Sequence, residues 1–94
     1  MTPVEILRGA RERLTRPEVW VGYCPADDNH ECSVTACANL PGAGPNWGTA
    51  TDYLRVAAAV AEDVSLAAWN DAPGRTLSEV LAAFDQAILL AESA

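Results

Sequence analysis

The chain reads as all-α: a compact four-helix domain with an extended arm between helices one and two. Three observations predict this. A helix-start signature, a small polar residue with an acid three positions later, appears at Thr2–Glu5, Asp28–Glu31, Thr49–Asp52 and Thr76–Glu79. Apolar residues recur at helical spacing behind these starts. The composition is alanine-rich with few aromatics (Trp20, Trp47, Trp69, Tyr23, Tyr53, Phe84), which suits close-packed helices better than a β-sandwich.

In each signature the first side chain can accept from free N–H groups of the first turn. The acid can reach back to the cap's own N–H and faces the positive end of the helix dipole. Helix one is expected from Pro3 to about Thr15, with proline in its favoured first-turn place and Ile6, Leu7, Ala10 and Leu14 on its apolar side. Its arginines flank that stripe as a solvated face, with Glu12 and Arg16 in the favourable i,i+4 orientation. Arg16-Pro17 closes it, because a residue before proline avoids the helical region.

The segment 17–27 is the least helical, and Val19, Trp20, Val21 and Tyr23 suit a short strand or an arm packed over the bundle. Helix two is expected over Asn29–Asn39, ended by Leu40-Pro41-Gly42. A Gly/Pro-rich loop follows, and helix three is expected from Ala50 to Val64, burying Tyr53 or Leu54, Ala57, Val60 and Val64. Ser65–Trp69 either continues that helix after a kink or forms a short one. Helix four, Leu77 to about Ala91, carries the clearest stripe: Leu77, Val80, Leu81, Phe84, Ala87, Ile88 and Ala91.

At 94 residues the chain has room for one domain, expected to span 1–94. The net charge of −7 argues against a general affinity for nucleic acid or anionic membrane. That charge is unevenly placed. Residues 1–16 hold four arginines against two glutamates, net +2, whereas residues 17–94 hold two arginines against eleven acids, net −9. The helix-one arginines are thus a small basic element able to dock on an acidic partner. No apolar stretch reaches the roughly 18 residues that span a bilayer, and the start lacks the pattern of a secretory signal. A cytoplasmic location without membrane insertion is the expectation. An odd count of three cysteines argues against a disulfide framework.

Cys24, Asp27, Asp28, His30, Cys32 and Cys37 form the one patch that suggests chemistry. The spacing C-x5-H-x-C-x4-C matches no standard zinc site. On a helix over 29–39, Cys32 and Cys37 would lie about 140° apart around the axis. Cys37 therefore reads as a small buried core residue, and no cofactor or metal is expected. The rival reading is a zinc-binding or thiol-dependent small enzyme using Cys24, His30 and Cys32. Against it, an acidic surround raises a thiol pKa, and the nucleophile elbow, the phosphate-binding glycine loop and H-E-x-x-H are all missing. Trp69-Asn70-Asp71-Ala-Pro-Gly74-Arg75-Thr76 reads as a rigid corner. Trp69 anchors it, Asn70 and Asp71 suit side-chain-to-backbone turn bonds, and Arg75 is placed to pair with Asp71.

This corner and its sequel, Trp69-Asn70-Asp71, Arg75-Thr76, Glu79-Val80-Leu81 and Phe84-Asp85-Gln-Ala87-Ile88, resemble the C-terminal motif of an uncharacterised family. Its members are small proteins of actinobacteria and their phages. Arg16-Pro-Glu-Val-Trp20 and Cys32-Ser-Val-Thr-Ala-Cys37-Ala extend the resemblance toward the N-terminus. It implies no catalytic residue. It suggests a mycobacteriophage accessory protein that binds a host protein, one of the polar-growth and cell-wall machinery among them. The expectation is a non-enzymatic interaction protein, a monomer or weak homodimer, engaging its partner through Trp20, Tyr23 and Trp47 on the arm and the 41–48 loop, where exposed aromatics can anchor a partner.

Overall fold

The computed structural model describes residues 1–22 and 31–94. Among them five helices are seen, not four: α1 (Pro3–Leu14), α2 (Ser33–Ala38), α3 (Trp47–Ala57), α4 (Leu66–Asn70) and α5 (Leu77–Glu92). A 3-10 turn, Gly44–Asn46, leads into α3. The Cα radius of gyration is 11.9 Å, close to the roughly 12 Å of a compact chain this long.

The two outer helices form where their caps predict. At α1 the Thr2 hydroxyl accepts from Glu5 N at 3.2 Å, and the Glu5 carboxylate accepts from Thr2 N at 2.9 Å. Thr76 and Glu79 make the same box at α5, at 3.2 and 3.1 Å. These bonds to the charged form hold both glutamates below the usual carboxylate range. The α1 stripe Ile6, Leu7, Ala10 and Leu14 is fully buried, as are Val80, Phe84 and Ala87 of α5. With Leu54 of α3 these side chains make the centre of the core, the larger ones contributing about 1.5–3 kcal/mol each. α5 runs antiparallel to α1, since Arg8 pairs with Glu92 and Arg11 with Asp85.

The middle of the chain departs from expectation. The second helix starts at Ser33 rather than Asn29, because Glu31 is committed elsewhere. Its backbone pairs in a parallel bridge with Trp20, Glu31 N donating to Val19 O at 2.7 Å and Val21 N to Glu31 O at 3.1 Å. Cys32 is the N-cap of α2, and its N–H donates to Thr35 Oγ1 at 2.9 Å. Asp28 of the expected cap lies outside the described residues. The arm itself opens with a turn in which Glu18 takes φ 64°.

The third helix begins at Trp47, so Thr49 sits inside it and is no cap. It stops at Ala57 instead of running to Val64, and the stop is a Schellman motif. Ala59 N donates to Val56 O at 3.1 Å and Val60 N to Arg55 O at 3.0 Å, with Ala59 at φ 53°. The Arg55 guanidinium then donates to Val64 O at 2.8 Å and holds the following turn against the helix. Val64, expected in the core, is 37% exposed. Ser65 caps the separate α4, accepting from Ala68 N at 3.0 Å. The left-handed place in such a stop ordinarily belongs to glycine, because a Cβ there crowds the backbone. Ala59→Gly is therefore expected to raise stability by about 0.5–1 kcal/mol, read as a higher urea midpoint with an unchanged slope.

Candidate functional site

Asn70, the last residue of α4, is fully buried and joins three separated parts of the chain. Its Oδ1 accepts from Trp20 Nε1 at 2.9 Å, from Ser33 N at 3.1 Å and from Ser33 Oγ at 2.6 Å. Its Nδ2 donates to Val21 O at 3.0 Å and to Asp71 Oδ1 at 3.1 Å. Arm, α2 and α4 thus meet on one side chain whose amide hydrogens and oxygen are all used. The sequence marks Asn70 as a turn residue, and its role as a long-range junction appears only in three dimensions.

Next to it, Trp69 packs on the core and Arg75 lies over its ring, 4.2 Å from the centroid. Arg75 does not take Asp71 as expected. Its Nε donates to Trp69 O at 2.9 Å and its Nη1 to Glu79 Oε2 at 3.0 Å. The indole face and the i,i+4 carboxylate capture it because the turn ends with its side chain lying back across Trp69.

The arginines of α1 are not a free basic face either. Arg8 and Arg11 bind Glu92 and Asp85 of α5, the second pair at 2.6 and 3.3 Å through two nitrogens. Arg13 binds Glu31, whose side chain is almost wholly enclosed while its Oε2 finds no donor among the described residues. Antiparallel packing of α1 on α5 brings the two charge sets into register, so they are spent on this chain's own acids.

The expected interface residues part company. Trp20 is half-buried, packed against the core, with its indole N–H given to Asn70. Trp47 stands at the start of α3 with 41% of its surface exposed. Met1, 45% exposed, is tied to the same end by the bond from Asn46 Nδ2 to Met1 O at 2.8 Å. Tyr23 lies outside the described residues, as do Cys24, Asp27 and His30 of the cysteine–histidine patch.

Cys32 and Cys37 are buried. Enclosure, then the neighbouring Cys32 and Glu31, push the Cys37 thiol up to about 12. A thiol so placed is protonated at neutral pH and a poor nucleophile. Alkylation of Cys37 by iodoacetamide is expected to follow global unfolding, its rate rising with urea in step with the loss of helix. Rapid labelling of Cys37 in the native protein at pH 8, located by peptide mass spectrometry so that Cys24 is read separately, would contradict the burial. Among the described residues no three metal-binding side chains gather, and no helix is long and apolar enough to cross a membrane.

A model of a family of unknown function, DUF6197, matches residues 1–90. The chain belongs to that family. The match takes in the arm, the Asn70 junction and nearly all of α5, so the architecture described above is that of a DUF6197 member. No curated protein and no solved structure matches it.

Proposed function

We propose that this DUF6197 member is a small non-enzymatic protein, encoded by a phage of actinobacteria, that binds and modulates a host protein in the host cytoplasm. The observation that carries the reading is Trp47. Trp69 is covered by Arg75 and Trp20 gives its N–H to Asn70, whereas Trp47 keeps 41% of its surface exposed beside the exposed Met1. A rigid aromatic at a helix start, ringed by loop, is the kind of residue that anchors a protein interface.

The test is affinity capture from a mycobacterial lysate with the native chain and with Trp47→Ala, checking first that the variant keeps its helical circular dichroism. Components of the polar-growth and cell-wall machinery are the first candidates to look for. The expected result is a defined partner whose capture falls by about tenfold or more in the variant, as for an interface anchor. An unchanged capture pattern would remove Trp47 from the interface. Stoichiometric zinc in the purified protein, lost in His30→Ala, would overturn the non-enzymatic reading in favour of the Cys24/His30/Cys32 alternative.

A further inference from the structure

No charged residue stands between Cys32 and Thr51; the six arginines and thirteen acids of this chain all lie outside that stretch. Part of it is buried as α2, but from Asn39 to Thr49 every residue except Leu40, Ala43 and Gly48 is exposed. Leu40 fixes the loop on α1. It fills the space that a side chain at Gly9 would need, its Cδ2 lying 2.7 Å from where a Cβ would stand. Asn46 then bonds Met1 O, and Trp47 follows at once as the first residue of α3. The result is an exposed surface without charged side chains on a chain whose net charge is −7.

This surface has a knob and a floor. Trp47, 41% exposed, is the knob. Gly44, at the start of the 3-10 turn, and Gly48, in the first turn of α3, lie within one turn of it on either side. A Cβ built on either glycine would meet no atom within 4 Å, so the backbone there is bare and open. At φ 68° the conformation of Gly44 calls for glycine. Gly48 is not among the positive-φ glycines and stands inside a helix, where glycine is a weaker choice than alanine. Its bareness serves the surface and not the fold.

We propose that this face seats a second copy of the chain about a two-fold axis, each Trp47 ring lying on the bare backbone at Gly44 and Gly48 of the other. Charge selects the occupant. A two-fold contact sets a patch against itself, so an acidic patch would meet its own sign, whereas the uncharged one opposes nothing. Shape agrees, since the ring of one copy meets backbone that no side chain of the other screens. About a dozen residues a side is half a standard interface, so the dimer is weak, with a Kd of about 100 µM. From the proposed function it takes only that Trp47 is a contact residue; a copy seated there covers the anchor until a host protein displaces it.

Sedimentation equilibrium of the full chain from about 10 to 500 µM is expected to show monomer and dimer in exchange. Trp47→Ala is expected to weaken the dimer about tenfold or more through loss of the anchor. Gly48→Gln favours helix, so the variant should fold at least as well, yet its side chain covers the floor and should weaken the dimer about tenfold or more. Val56→Ser, at a site 69% exposed about 180° around α3 from Trp47, is expected to change the constant by less than about twofold. Raising NaCl from about 0.05 to 0.5 M is expected to tighten the dimer about threefold, by screening the repulsion between two acidic bodies. A chain monomeric throughout, a dimer indifferent to Trp47→Ala or to Gly48→Gln, one lost in Val56→Ser, or one loosened by salt would each overturn the proposal. Capture of a host partner lost in Trp47→Ala, by a chain that stays monomeric, would keep Trp47 as a host anchor and sink the dimer. A Trp47-dependent dimer with no captured host partner would do the reverse.

Discussion

Asn70→Ala is expected to lower stability by about 3–5 kcal/mol. The truncation strands Ser33 N and Oγ, both buried, and, in half-buried surroundings, the carbonyl of Val21 and Trp20 Nε1. Each buried group left without a partner costs about 1–3 kcal/mol, and a chain of this size has only about 5–15 kcal/mol in total. The arm's hold on the body would also loosen, since Trp20 and Val21 lose this amide and keep the backbone bridge to Glu31. Urea denaturation gives the energy, and tryptophan fluorescence should shift to the red before helix is lost. Asn70→Asp keeps the accepting oxygen but surrenders the donation to Val21 and sets a charge beside Asp71, so it should cost at least about 2 kcal/mol. A loss under about 1 kcal/mol in both variants would show that the junction is not structural.

Arg13→Met is expected to cost about 3–5 kcal/mol, because it leaves the Glu31 carboxylate enclosed at 3% exposure without its countercharge. Glu31→Leu should cost less, about 1–2 kcal/mol, since Arg13 retains access to water and can relax outward. The double variant Arg13→Met/Glu31→Leu should recover to within about 1 kcal/mol of the native chain. An apolar pair of similar volume meets no desolvation cost, and the Glu31 backbone bridge to the arm is untouched. The cycle is read from urea midpoints of the four proteins. Strict additivity of the two single losses would mean that the groups are not coupled, contrary to the ion pair. The double replacement should be tolerated because the native pair is itself incompletely satisfied among the described residues, where Glu31 Oε2 finds no donor.

The outer helices were legible in the sequence because their signals are local. Thr2 with Glu5 and Thr76 with Glu79 bond within three residues, and the apolar stripes behind them need only the helical period to show which face is buried. The same signature misleads in the middle. Glu31 looks like a first-turn acid but pairs with Arg13 and, through its backbone, with the arm. Thr49 looks like a cap and sits inside α3. The alanine run read as continuous helix contains the stop, since an alanine at positive φ carries no mark that distinguishes it from its neighbours. Of the expected interface, Trp20 and Trp47 are indistinguishable as letters; one finds Asn70 fifty residues away and the other finds no such partner among the described residues.

Taken by itself, the sequence determined a helical chain, the two capped outer helices, the stripes that build the core and the place of Cys37 within it. These follow from interactions within one or two turns, which the order of residues specifies directly. Tertiary structure alone decided which acids the arginines of α1 would take, which asparagine would bind arm to body, and which aromatic and valine faces would remain outside. Those outcomes depend on pairs tens of residues apart, and a side chain's partner at that range is set by how the helices pack.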